Sequence, residues 1–190
     1  MRHRTTLIAP VLLLLLCATL ALAQTSPAPK PGPEAERLSA YVGEWAILAN
    51  LPAGVMVDKG GKATGAASCE WIAERFGVFC RETLPGESRL SDVYLMAYDG
   101  EAKNYFFTQI STAGVVWTGR GTVNGDTWVW TVDTTYNGKP IQFRFTEKWT
   151  SPDSFDFKNE FGVSADSMKV MMDGKETRAK TSASKPAEKK

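Results

Sequence analysis

The chain has 190 residues, 22 basic and 21 acidic, with a formal charge of +1 and one histidine, His3. A balance this even, without a basic stripe, gives nucleic acid and anionic membranes no electrostatic purchase. His3 sits in an N-terminal leader, so the remaining chain has no imidazole for Ser-His-Asp or Cys-His catalysis, ordinary zinc enzymes or histidine-ligated haem.

In chain order, Arg2, His3 and Arg4 form a positive stretch ahead of an apolar run, Leu7 to Leu22, broken only by Pro10 and Thr19. Ala21-Leu22-Ala23 is a small-x-small cleavage site, so residues 1–23 are expected to be a signal peptide and the mature chain to begin at Gln24. The run falls short of the ~20 residues that span a bilayer, which favours cleavage over anchoring. Leu16 precedes Cys17 where a lipidation site needs a small residue, so Cys17 is expected to leave with the leader. The protein is therefore expected to be periplasmic or secreted, with no stable membrane insertion after cleavage. Removing residues 1–23 takes away Arg2 and Arg4 and no acid, leaving 20 basic against 21 acidic residues, a formal charge of −1.

Residues 24–33 contain four prolines and read as an extended linker. Residues 34–178, about 145 residues, form one domain large enough to bury roughly two-thirds of its unfolded surface. Residues 179–190 are polar and lysine-rich and read as a disordered tail.

Within the domain, Pro33 to Tyr41 predicts a short helix. Ten strands follow, near 44–50, 62–72, 78–84, 90–98, 104–111, 114–122, 127–134, 140–149, 154–162 and 167–172. Asp99-Gly100, Asn124-Gly125, Asn137-Gly138 and Asp173-Gly174 punctuate aromatic and β-branched runs, as tight hairpin turns do. Ile141, Phe143, Phe145 and Trp149 alternate with Gln142, Arg144, Thr146, Lys148 and Thr150; Phe155, Phe157 and Phe161 alternate with Asp156, Lys158 and Glu160. Period-two patterning of this kind buries one face and leaves the other solvated. The fold class is thus all-β: an up-and-down antiparallel barrel of about ten strands. Gly119 and Gly121 share a face with Trp117, where the wall bends or a bulky neighbour crosses closely. The long loop from Leu51 to Gly61 is placed to act as a lid over the lumen.

Cys69 and Cys80 are equidistant from the centre of the hairpin around Glu74-Arg75 and should face each other. In an oxidising compartment a disulfide is the favoured reading over free thiols.

Gly43-Glu44-Trp45 after a short helix resembles the Gly-x-Trp opening of the calycins, the group containing lipocalins, fatty-acid-binding proteins and nitrobindin. Cys69-x-Trp71, Gly77-x-x-Cys80, Tyr98-Asp99 and Asn124-Gly125-Asp126-x-Trp128 together resemble an uncharacterised family of exported bacterial lipocalin-like domains. The resemblance covers residues 36–178 and implies a closed barrel, with no activity to carry over. It also implies a structural pair in which Arg178 stacks on Trp45 and closes the barrel's end. The nitrobindin branch holds haem through a histidine that this chain lacks.

The lumen candidates are Tyr94, Tyr98, Trp117, Trp128, Trp130, Phe143, Phe145, Trp149 and Phe157, together with Glu147. Phe107 and Phe155 belong to the same aromatic set. The rings either fill a packed core or line a site for a lipid, sterol-like or aromatic ligand. Glu147 is in phase with Phe143, Phe145 and Trp149, and Asn159 with Phe155 and Phe157. Glu147 is open to two readings. One is structural, an ion pair with Arg81 or Arg120 or a strand end near water; the other is a polar anchor for a ligand. Met168, Met171 and Met172 are expected to pack the end of the barrel, and Arg144, Lys148, Lys158 and Glu160 to form a solvated strand face.

The leading expectation is an exported barrel that binds a small hydrophobic or amphipathic molecule, with no cofactor, no metal, no catalytic residue and no nucleic-acid partner. The alternative is a packed barrel acting as an interaction or structural module. A carboxylate-based enzyme ranks third, because no paired acid–base constellation is legible, and the chain is not expected to be an enzyme.

Overall fold

Alternating sequences leave each strand with one apolar face, and a sheet with one apolar face buries it by curling onto itself. In a computed structural model, which describes residues 30–86, 89–112, 114–136 and 138–179, the sheet closes completely. The expected signal peptide, the expected linker up to residue 29, Asn137 of the expected Asn-Gly turn and the expected tail from residue 180 lie outside the described residues.

The strands are β1 (Gly43–Leu51), β2 (Gly61–Ile72), β3 (Gly77–Leu84), β4 (Leu90–Asp99) and β5 (Asn104–Ser111). They continue as β6 (Val116–Asn124), β7 (Thr127–Tyr136), β8 (Lys139–Ser151), β9 (Ser154–Gly162) and β10 (Lys169–Arg178). Each pairs antiparallel with its neighbours in the chain, and β1 pairs with β10 from Trp45↔Arg178 to Asn50↔Asp173. The expected ten-stranded meander is the observed one.

One expected turn is absent. Asp173-Gly174 is not a hairpin: β10 runs straight through it to Arg178. Gly174 faces inward there because nothing larger fits; a Cβ would meet the Leu48 carbonyl oxygen at 2.1 Å and the Phe157 ring at 2.9 Å. Gly121 serves the same purpose on β6, where a Cβ would strike the Trp130 ring at 2.4 Å.

Pro33–Glu36 forms one helical turn, with proline in its first turn, and continues as a 3₁₀ turn over Arg37–Ala40. This segment plugs the end of the barrel where β1 begins, here called the floor. Leu38 is fully buried, the Tyr105 hydroxyl donates to the Glu34 carbonyl at 3.0 Å, and the Trp45 indole N–H donates to the Tyr41 carbonyl at 2.7 Å. Arg178 clamps it. Its guanidinium lies 4.4 Å from the Trp45 ring centroid and donates to the carbonyls of Val42 at 2.6 Å and Ala40 at 3.1 Å. Asp153 accepts from its Nε at 2.8 Å.

Cys69 and Cys80 are direct partners across β2 and β3 and form a disulfide. A loop this short stabilises by about 2–3 kcal/mol.

On the outer wall of β8 and β9, one expectation needs correction. Glu160 does not sit in water: only 6% of it is exposed. Arg144 and Lys158 cover it, pairing with its carboxylate at 2.8 and 3.1 Å. Burial pushes its carboxyl up, but these two cations outweigh burial and hold it below the usual range.

Candidate functional site: an acidic, aromatic lumen

Inside the barrel is a cavity of about 530 Å³. Its aromatic wall comes from β4 (Tyr94), β5 (Phe107), β6 (Trp117), β7 (Trp130), β8 (Phe143, Phe145) and β9 (Phe155, Phe157). Period-two alternation turns these rings inward, and many pack edge-on or tilted, as between Phe107 and Trp130 at 5.7 Å. Trp117 and Phe143 stack at 4.4 Å. The mouth lies opposite the floor and is rimmed by Met56, Val115, Val116 and Tyr136, of which Val116 is 67% and Tyr136 62% exposed. The loop between β1 and β2 folds back toward this mouth, burying Val57 and placing Met56 against the cavity. Met171 and Met172 line the cavity wall as well, so these two methionines do more than pack its end.

Four carboxylates enter this apolar space: Glu82 from β3, Asp92 from β4, Glu147 from β8 and Glu176 from β10. Glu147 lies near the floor. Its Oε2 accepts from the Tyr41 hydroxyl and from the Trp130 indole N–H, the latter at 3.3 Å. Burial raises its carboxyl to about 7, against the pull of these two donors. Burial, and then the Glu147 charge, push the Tyr41 hydroxyl well above its ordinary value.

Glu82 and Asp92 are direct cross-strand partners, an arrangement that places like charges opposite one another. Glu82 is raised to about 7, first by burial and then by Asp92 and Glu147. Asp92 accepts from the Gln109 amide, and burial raises it against the influence of Ser111 and Gln109. Glu176 is raised well above its usual range, first by burial and then by Glu82 and Glu147. Tyr94 is also raised, by burial and by the field of all four acids. Among the described residues, no lysine or arginine lines the cavity.

Seven of the expected lumen residues line this space: Tyr94, Trp117, Trp130, Phe143, Phe145, Glu147 and Phe157. Asn159 joins them. Tyr98, Trp128 and Trp149 do not. They belong to the floor, where Trp128 packs on Tyr41 at 5.5 Å, Trp149 on Trp45 at 5.6 Å and Tyr98 on Tyr105 at 5.1 Å. The reason is depth: all three are inward-facing but lie at the strand ends that the N-terminal plug covers. Glu147 is not ion-paired to Arg81 or Arg120 either. Arg81 lies outside with Glu70 at 3.4 Å, and Arg120 lies over the Phe106 ring.

Sequence reasoning missed Tyr41, Glu82, Asp92 and Glu176. Glu82 carries a readable signal, being in phase with Val78, Cys80 and Leu84, all buried. Asp92 is likewise in phase with Tyr94 and Met96. Glu176 lies beyond residue 172, where the alternation and the Asp173-Gly174 turn signal end the last predicted strand.

No protein-family model matches this chain, and no curated protein does. Solved structures do. The chain is similar to the crystal structure of Rv2717c from M. tuberculosis, with a TM-score of 0.55 and 10% identity over 78% of this chain and 99% of that one. A second neighbour, the structure of EF1p2_mFAP2b bound to DFHBI, has a TM-score of 0.34 and 15% identity over 76% of this chain and 98% of that one. At such identities the likeness to Rv2717c concerns the barrel fold alone.

Proposed function

We propose that the protein is an exported, lipocalin-like barrel that reversibly binds a small amphipathic molecule in its lumen, and that it is a carrier or sensor rather than an enzyme. The observation that carries this reading is the cavity itself. A barrel serving only as a structural module has its interior filled by side chains, whereas here about 530 Å³ stays open behind an apolar rim. Aromatic walls supply area, and Glu147, positioned by Tyr41 and Trp130, supplies an oriented polar end. The disulfide is consistent with export, because such bonds persist in oxidising compartments.

Native mass spectrometry of protein purified from its own host tests the reading. A discrete adduct that is released on denaturation supports it, and a bare chain under conditions that preserve other carriers' ligands speaks for the packed-module alternative. Glu147→Gln keeps the side-chain volume and removes the charge. It should weaken retention of the adduct by ~1–2 kcal/mol, the value of a charge-assisted hydrogen bond.

A further inference from the structure

We infer that the lumen selects a cation: a compact hydrophobic or aromatic body carrying an ammonium or guanidinium group. This inference rests on the lumen-binding reading and narrows it by charge.

Elsewhere in the fold, acids stand beside cations. Glu36 is paired with Arg75 at 2.6 Å, Asp153 with Arg178 at 2.8 Å, Asp156 with Lys175 at 3.3 Å, and the buried Glu160 with two cations. The lumen holds four acids and, among the described residues, no cation at all. Glu176 is only 9% exposed, and the charges that act on it are those of two further acids, Glu82 and Glu147. Asp92 is 5% exposed, and its Oδ1 lacks a hydrogen-bond partner. Both acids face the cavity. A buried carboxylate without a countercharge is costly, and the group that removes the cost is a cationic donor.

The rings suit the same guest. Tyr94 and Trp117 line the cavity, and aromatic rings attract cations while covering an apolar body. Among the described residues, no three metal-ligating side chains converge closely enough to hold a metal ion. An organic cation that touches one or two carboxylates while its body lies on the rings fits that arrangement better than a bare metal does.

Charge linkage gives the inference a distinctive signature. The titratable groups facing the cavity are Glu82, Asp92, Glu147 and Glu176, with Tyr94 and Tyr41. The two tyrosines stay neutral, so only the acids change charge, and Glu82 and Glu147 do so near 7. A bound cation favours their ionised forms. Binding should therefore strengthen as pH rises through this range and should expel protons into the buffer.

Three probes of nearly one shape separate the possibilities: naphthylmethylammonium, naphthylmethanol and naphthylacetate. Each is titrated calorimetrically into the full chain at about pH 8, where the amine probe remains largely protonated, and again at about pH 5. The ammonium should bind at least ~10-fold more tightly than the alcohol at the higher pH and lose most of that advantage at the lower one. Near neutrality, its heat should vary with the ionisation enthalpy of the buffer, reporting the released protons. Glu176→Gln should cut the ammonium's advantage by ~5-fold or more and leave the alcohol unchanged; should that variant not fold, Glu82→Gln reads the same quantity. Equal binding of alcohol and ammonium, tightest binding of the acetate, or an advantage untouched by the variant overturns the cation while leaving the lumen reading standing. If none of the three binds, the lumen reading falls and the charge selection with it.

Discussion

Two buried carboxylates, a barrel wall apart, live under opposite rules. Glu160 lies on the outer face of β9 beneath Arg144 and Lys158, and its carboxyl is held below the usual range. Glu176 lies on the inner face of β10, facing a cavity lined by no cation among the described residues, and its carboxyl is raised well above that range. Both are nearly inaccessible, at 6% and 9% exposure, so burial alone does not separate them. What separates them is whether the chain supplies the countercharge. On the outside it does. Inside, the place of the countercharge is left to protons, water or a guest.

The largest test of that contrast is pH. For Glu82 and Glu147 the folded-state values, about 7, lie above the ordinary 4.5. A folded state that holds its protons more tightly than the unfolded chain is favoured at low pH. The contribution is complete below about 4.5 and is lost as pH rises through about 7. Allowing for the water the cavity admits, the ligand-free barrel should lose on the order of 2–4 kcal/mol between these limits, or ~5–15 °C in Tm. Differential scanning calorimetry across that range checks it; a Tm that rises instead would show that the lumen acids find partners after all.

Glu176→Gln sharpens the comparison from the inside. Because burial raises the Glu176 carboxyl well above its usual range, the variant should change stability little at about pH 4, where the native acid is neutral, and stabilise the barrel by ~1–3 kcal/mol only at an alkaline pH that ionises the native acid. Urea unfolding at both values reads the difference.

Glu160→Gln is the mirror experiment. It deletes the acid that two cations share, so it should destabilise by ~1–2 kcal/mol at neutral pH, because Arg144 and Lys158 can still turn to water. The opposite signs of the two Glu→Gln variants matter more than either magnitude. If both destabilise, the difference between the walls is not one of countercharge.

The barrel was legible because its strands obey a simple period. Ile141 to Trp149 and Phe155 to Phe161 each declare which face goes inward, and the Asn-Gly and Asp-Gly turns between strands declare where the chain reverses. Asp173-Gly174 misled because the same dipeptide serves another need: Gly174 makes room for Phe157 and for the β1 backbone. That single misreading cost the last six residues of β10, and with them Glu176. Three of the four lumen acids could be placed by phase alone, since Glu82, Asp92 and Glu147 follow the alternation of their strands. The floor could not. Nothing local tells Trp149 from Phe145; only the N-terminal plug, packed on Trp149 through Tyr41, decides which of them meets open space.

The pairing of β1 with β10, sealed by Arg178 on Trp45, has a consequence for how the molecule comes to exist. A chain whose opening strand finds its second partner only in the closing one cannot finish folding piece by piece from the N-terminus. Until the last strand arrives, β1 offers a row of unanswered amides and carbonyls, and the sheet is an open ribbon with two sticky margins. Non-local closure of this kind is slow, and the interval before it exposes the molecule to wrong partners. Loss of residues 173–178, the stretch of β10 that pairs with β1, would therefore not trim the barrel; it would reopen its seam.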